Sequence, residues 1–284
     1  MKRSIDGLVV AVTGGARGIG AATALALSAA GARVAIGDLD LAAAEKVAAD
    51  LHDGLALRLD VTDRPGYTAF LDSVEGHLGP LDVLVNNAGI MPVAPLDEES
   101  DETTTRQLEI NLHAVIHGTR EAMRRMRPRG RGHIVNVASL AGKVGTPGIA
   151  TYCATKHGIV GLSEAAHLEL RGTGVDVSCV MPGIVRTELT AGVGDMRGIQ
   201  TIGPEDVAAA IVATVRRPRF DVFVPKSAGA TAYLGRLLPR RGGEWVARRL
   251  GADTVMIAAA HRPERAAYEA RAAASAPSVG QDGD

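Results

Sequence analysis

Seven short β-branched apolar runs punctuate the chain: VVAVTG (9–14), RVAIGD (33–38), LALRLD (55–60), LDVLVNN (81–87), HIVNVAS (133–139), VDVSCVMPG (175–183) and FDVFVP (220–225). Most are apolar at nearly every position, as in strands buried on both faces. Longer segments with helical spacing lie between them. In 18–30, for example, Ile19, Ala22, Ala26 and Ala29 share one helix face. Another helix is expected over 204–216, opened by Gly203-Pro204-Glu205. This alternation predicts an α/β fold: a doubly wound parallel sheet with helices on both faces.

The loop after the first run reads TGGARGIG (13–20) and opens the first helix. Glycine is unfavourable in regular elements, so such a cluster marks a sharp turn or a ligand lying against backbone. A helix N-terminus offers unpaired N–H groups and a positive dipole end, which suit a pyrophosphate. Gly14 fits the turn, Gly18 the close approach of phosphate, and Gly20 the packing of helix on strand. Arg17 and Ile19 complete the expected cofactor loop. A P-loop would need Lys and Ser/Thr after the last glycine, where Ala21 and Ala22 stand. The loop therefore points to a Rossmann-type dinucleotide site. Asp38 ends the second run, about 20 residues on, where a carboxylate accepts from the ribose hydroxyls of NAD and repels the 2′-phosphate of NADP. Arg17 is the counter-signal, because a basic residue there suits NADP. Read alone, Asp38 also fits a solvated loop acid or a helix cap.

Tyr152 and Lys156 are four apart, hence on one helix face. An ammonium beside a tyrosine favours the phenolate and lowers its pKa from about 10, as a general acid/base needs. Alone, the spacing fits a surface pair equally well. It is joined here by Ser139 at the end of HIVNVAS, Asn111 in LEINLHAV and NNAG at 86–89.

With these elements in that order, residues 5–225 resemble the classical branch of the short-chain dehydrogenase/reductase family. The resemblance rests on TGGARGIG, Asp38, Asp60-Val61, NNAG, Asn111, Ser139, Tyr152-x-x-x-Lys156 and PGIVRT (182–187). It implies that Tyr152 exchanges a proton with the substrate oxygen and that Ser139 orients that oxygen. Lys156 would tune Tyr152 and hold the nicotinamide ribose, and Asn111 would hold a water of a proton relay. Asp60 and Val61 would flank the adenine, Asn87 would lie beside the cofactor, and Val185 and Thr187 would hold the carboxamide. The implied activity is NAD-dependent hydride transfer between nicotinamide and a secondary alcohol or ketone. An NADP-dependent carbonyl reductase and a non-catalytic dinucleotide-binding regulator are the alternatives. The G-x-x-x-G-x-G spacing differs from the G-x-x-G-x-x-G of the extended branch, and the catalytic set is complete. The family also implies a homodimer or homotetramer built on the helices holding Asn111 and Tyr152.

Composition removes other classes. The 31 basic and 32 acidic residues nearly cancel, and aromatics make up 3%, so no nucleic-acid partner is expected. No apolar stretch is long enough to span a membrane, and no signal peptide is evident, so a cytoplasmic protein is expected. Cys153 and Cys179 lack metal or CxxC spacing and read as buried reduced thiols. His113 and His117, four apart, read as helix surface or subunit contact, and no metal is expected. The loop 142–150 and the segment 188–203 are expected to line and cover the substrate.

Three regions follow: a catalytic dinucleotide-binding domain over 1–225, a helical extension over 226–274 and a disordered tail over 275–284. In 226–250, Lys226, Arg236, Arg240, Arg241, Arg248 and Arg249 face a single acid, Glu244, with an apolar stripe of Tyr233, Leu234, Leu237 and Leu238. A further helix is expected over about 253–274. Three roles stay open for the extension: packing on its own fold or a sister subunit, a lid over an apolar substrate pocket, or peripheral contact with an anionic membrane. The last two hint at an apolar alcohol or ketone such as a steroid, a retinoid or a lipid-derived alcohol.

Overall fold

A computed structural model describes residues 3–194, 200–229, 241–242, 244, 248–249, 251, 254–260 and 262–275. The seven apolar runs form one parallel sheet: β1 (Val9–Thr13), β2 (Arg33–Asp38), β3 (Leu55–Arg58), β4 (Val83–Asn86), β5 (Gly132–Val137), β6 (Val175–Pro182) and β7 (Asp221–Val224). Their order across the sheet is β3-β2-β1-β4-β5-β6-β7. Strand order reverses between β1 and β4, and in such sheets ligands bind beyond the carboxyl ends of the strands at that switch point. The run at 33–38 matches its strand, and the other six overreach theirs by one to three residues, mostly at the carboxyl end where the chain leaves the sheet to form the site loops. β3, at the edge, is only half-buried.

Side chains alternate between two cores, as the two-residue period of a strand requires. Val10, Val12, Val34, Ile36, Val85 and Val180 pack beneath α1 (Gly18–Ala29) and α7 (Pro204–Arg216). Val9, Ala11, Ala35, Leu84, Ile134 and Val177 pack with Phe70, Leu71 and Val74 of α3 (Arg64–Leu78). Met126 of α5 (Ala114–Met126) and Ala166 of α6 (Ala150–Glu169) complete that layer. A short α2 (Leu41–Ala48) is capped by Asp40, whose carboxylate accepts from the N–H of Ala43 at 3.1 Å.

Before α5, α4 (Asp101–Gln107) runs into a π-helical turn, Leu108–His113, which contains Asn111. Residue types do not announce this register slip, though π-turns cluster at functional sites. A buried polar ladder ties the layers beneath it. The Tyr67 hydroxyl donates to Asn86 at 2.7 Å, Asn86 to Asn136 at 2.8 Å, and Asn136 to Ser163 at 3.0 Å.

The helix expected over 253–274 is broken. The described pieces are α8 (Val255–Ala259), a 3₁₀ turn at Pro263–Arg265 and α9 (Ala266–Ala274). Pro263 starts the turn, since proline cannot continue a helix from within. The apolar stripe at 233–238, with Arg236 and Arg240, lies outside the described residues, as do 195–199 of the expected substrate cover and 276–284 of the expected tail. Among the described residues no helix is long and apolar enough to cross a membrane.

Candidate active site

The glycine loop forms the floor of a groove at the switch point. Gly14 has φ +64°, and a Cβ there would stand 2.7 Å from the Ala88 backbone. Gly18 has φ +51°, and a Cβ there would press on Thr187 at 3.3 Å. A Cβ on Gly20 would collide with the Gly14 carbonyl oxygen. The loop is therefore a cradle shaped by missing side chains. Asn87 locks it, donating through Nδ2 to the carbonyl oxygens of Thr13 (3.0 Å) and Gly14 (2.9 Å). The Thr13 hydroxyl accepts from the N–H groups of Asn87 and Ala88 at 3.1 and 3.2 Å. The amide of Asn87 thus serves the loop itself, a task the sequence did not reveal.

Gly14, Arg17, Gly18, Ile19, Asp38, Asp60, Val61, Asn87 and Thr187 all line this groove, a cavity of about 290 Å³. Asp38 accepts from the N–H of Ala16 and of Asp40, both at 3.0 Å. Two bonds leave a carboxylate with acceptor capacity to spare. Asp60 accepts from the N–H and hydroxyl of Thr62 at 2.9 and 2.7 Å, closing a turn. Arg17 is drawn away to Asp40 at 2.5 Å, and Asp40 titrates low because of its Ala43 bond and then this arginine. Val185 pairs with Ile202, and its carbonyl oxygen accepts from the Thr190 hydroxyl at 2.6 Å.

Ser139, Tyr152 and Lys156 meet past the end of β5. Ser139 leaves that strand and caps a 3₁₀ turn, its hydroxyl accepting from the Ala141 N–H at 3.1 Å. Tyr152 and Lys156 project from α6 and are 7% and 4% exposed. Burial pushes the Tyr152 hydroxyl up to about 12, against a lowering hydrogen bond with Ser139. Burial pushes Lys156 down to about 8. The lysine Nζ donates to the Val137 carbonyl at 2.9 Å and stands 5.5 Å from the Tyr152 ring centre. The phenol is therefore protonated at neutral pH here, its Ser139 hydrogen bond working against the effect of burial.

Asn111 is fully buried, and its side chain clamps the Ile90 backbone. Its Oδ1 accepts from the Ile90 N–H, and its Nδ2 donates to the Ile90 carbonyl, both at 2.8 Å. Gly89 lies between Asn111 and Lys156, where a Cβ would come 3.2 Å from Asn111 Oδ1 and 3.8 Å from Lys156 Nζ.

An apolar cluster surrounds the tyrosine: Met91, Val93, Ile149, Cys153 and Met256, with Leu189 and Val193 against it. Ile149, from the expected substrate loop, belongs to it, and Gly148 abuts the backbone of Ile257 in α8. Cys153 packs in the cluster, its thiol pushed up by burial, and Cys179 is also a buried free thiol. His113 pairs with Glu109 at 2.8 Å, and His117 stacks edge-on against Tyr67.

The sequence missed one whole wall. Tyr268, Arg271, Ala272 and Ser275 of the C-terminal segment line the groove opposite the glycine loop. Arg265, 1% exposed, anchors that segment, donating to the carbonyl oxygens of Met91, Leu189 and Ala191 and pairing with Glu269 at 2.8 Å. One arginine among three in an alanine-rich stretch gave no signal of this.

Comparison with known proteins agrees with this fold. The family model described as short chain dehydrogenase matches residues 8–198. A 3-alpha-(or 20-beta)-hydroxysteroid dehydrogenase of Mycobacterium tuberculosis is 38% identical over 191 residues, 67% of this chain and 74% of that protein. A cis-4-hydroxycyclohexanecarboxylate dehydrogenase of Sinomonas cyclohexanicum is 42% identical over 217 residues, 72% of this chain and 87% of that protein. A crystal structure of a short chain dehydrogenase/reductase from Burkholderia phymatum in complex with NAD superposes with TM-score 0.76 and 26% identity. That match covers 82% of this chain and 94% of the other.

Proposed function

The chain belongs to the short chain dehydrogenase family, and on that premise we propose an NAD-dependent oxidoreductase that interconverts an apolar, ring-bearing secondary alcohol and its ketone. The observation that carries this reading is the meeting of Ser139, Tyr152 and Lys156 beside a glycine-cradled groove. The residues fit a dinucleotide: the cradle is one that a Cβ would fill, and the first turn of α1 has no side-chain cap. Gly14, Gly18, Ile19 and Gly20 would hold the pyrophosphate and Asp38 the adenosine ribose. Asp60 and Val61 would flank the adenine, Asn87 would support the loop under the cofactor, and Val185 and Thr187 would hold the carboxamide.

When bound, the nicotinamide supplies hydride exchange with the substrate carbon. The protein's own part is position and proton transfer. Ser139 donates to the substrate oxygen and orients it. Tyr152 gives that oxygen its proton in reduction and takes it back in oxidation. Lys156, as ammonium, stabilises the phenolate left behind and holds the nicotinamide ribose. The π-turn at Asn111 holds Ile90 and the adjacent wall in register.

Two observations favour NAD over NADP. Asp38 faces the groove, and Arg17, the candidate partner of a 2′-phosphate, is committed to Asp40. The apolar cluster around Tyr152 favours a hydrophobic ring, in line with the names of the hydroxysteroid and hydroxycyclohexanecarboxylate relatives. Assembly as a homodimer or homotetramer through α5 and α6 belongs to the same reading, and Leu168 on α6 is an exposed apolar side chain there.

The test follows nicotinamide absorbance with NAD and NADP separately, over steroid, alicyclic, aliphatic and aromatic secondary alcohols, with Tyr152→Phe in parallel. Turnover with NAD that vanishes in the variant supports the reading. Cofactor binding with no turnover on any substrate overturns it in favour of a regulator.

A further inference from the structure

The helix α9 lines the cofactor groove and is tied to the segments on either side of it. On one wall the Tyr268 hydroxyl accepts from the Met91 N–H at 2.7 Å, and Ala272 packs with Ile90 and Ile110. On the other, Arg271 pairs with Glu188 at 2.7 Å, both side chains about half-exposed (46% and 52%). Glu188 follows Thr187, the residue against which Gly18 presses, so this pair stands beside the N-terminal end of α1. That end, positive and uncapped, is where the groove best accommodates an anion. A carboxylate at the same place opposes one, and Arg271 neutralises it. Among the described residues, the one bond found for Arg271 is to Glu188, which leaves most of its five N–H donors for a second partner.

We infer that Arg271 is a ligand of the cofactor's pyrophosphate, exchanging Glu188 for phosphate oxygens when the dinucleotide enters, so that the C-terminal helix is part of the cofactor site. The inference rests on the dinucleotide reading above and extends it to residues beyond the family match, which ends at residue 198. Guanidinium–phosphate pairs are charge-assisted and often bidentate, stronger than an exposed ion pair between two side chains. The exchange therefore runs toward the phosphate.

Two variants break the same ion pair with opposite consequences. Arg271→Gln removes the phosphate ligand, while Glu188→Gln removes its competitor. Calorimetric titration of the full chain with NAD, ADP-ribose, ADP and adenosine, and separately with NADP, distinguishes them. The expected result for Arg271→Gln is about tenfold weaker binding of the three phosphate-bearing ligands, with adenosine unchanged. Glu188→Gln should bind NAD more tightly than wild type, and Arg271→Lys should recover part of the loss. If both glutamine variants weaken NAD alike, or adenosine weakens with the rest, the pair is only a strap and the inference fails. Loss confined to NADP would move Arg271 to the 2′-phosphate and also overturn it. A wild-type protein that binds no dinucleotide would sink the oxidoreductase reading with it. A wild type that binds NAD as tightly as Arg271→Gln does sinks this inference alone.

Discussion

Lys156 Nζ stands 5.5 Å from the centre of the Tyr152 ring while donating to the Val137 carbonyl at 2.9 Å. The lysine is thus held by backbone beneath the tyrosine, in a dry site that disfavours its charged form. Burial lowers its pKa from 10.5 to about 8, so between those values the unfolded chain binds the extra proton. Stability contributed by this site therefore rises with pH across that window and is constant below it. Melting temperatures of wild type and Lys156→Met across pH 7 to 10 check this. Wild type should gain on the variant from about pH 8 upward, and the variant should lose about 100-fold or more in kcat. A constant difference would refute the linkage.

Tyr152 is pushed up to about 12, so its neutral hydroxyl dominates at pH 7. That form donates a proton and serves reduction; oxidation needs the phenolate. The kcat/KM for alcohol oxidation should climb with pH from 7 to 10, while ketone reduction stays flat or falls. The Ser139 hydrogen bond lowers the tyrosine. Ser139→Ala should therefore move the oxidation profile further alkaline, besides weakening catalysis. A profile shifted toward acid in that variant would contradict this electrostatic account.

Asp38 lines the groove, where a carboxylate repels a 2′-phosphate. Asp38→Asn keeps its size and drops the charge that repels a 2′-phosphate. The NAD-to-NADP ratio of kcat/KM should fall by about tenfold or more, on the order of 1.4 kcal/mol. An unchanged ratio would place cofactor discrimination elsewhere.

His133 is fully buried in β5, and its tautomer can be deduced. Ser178 Oγ donates to the Arg219 carbonyl at 2.6 Å, so His133 Nε2, 2.8 Å away, must donate to Ser178. Nδ1 then remains a buried acceptor without a partner. Burial lowers this histidine from 6.5 to about 3. The unfolded state binds the proton between those values, so stability falls as pH drops from about 6.5 toward 3. His133→Gln should flatten the acid side of the melting-temperature profile relative to wild type. An acid limb equally steep in both proteins would assign the loss to carboxylates.

What the sequence determined by itself follows from local rules. Uninterrupted β-branched runs require strands buried on both faces, so β1 to β7 were legible to within a few residues at each end. Gly14, Gly18 and Gly20 announced a cradle because no other residue tolerates those conformations and close approaches. Asp38, Tyr152 and Lys156 were legible from spacing along a strand and a helix. Tertiary structure decided what spacing cannot encode. The π-turn at Asn111 is a register slip that many sequences permit, and it sets the Asn111 side chain against the Ile90 backbone. The apparent helix over 253–274 was broken at Pro263 and folded back as two pieces. Arg265 supplies the reason for its docking: a buried guanidinium must find acceptors, and the carbonyl oxygens of Met91, Leu189 and Ala191 are where it finds them. Contacts across more than 170 residues leave no trace in local periodicity, so the second wall of the groove became visible only in the fold.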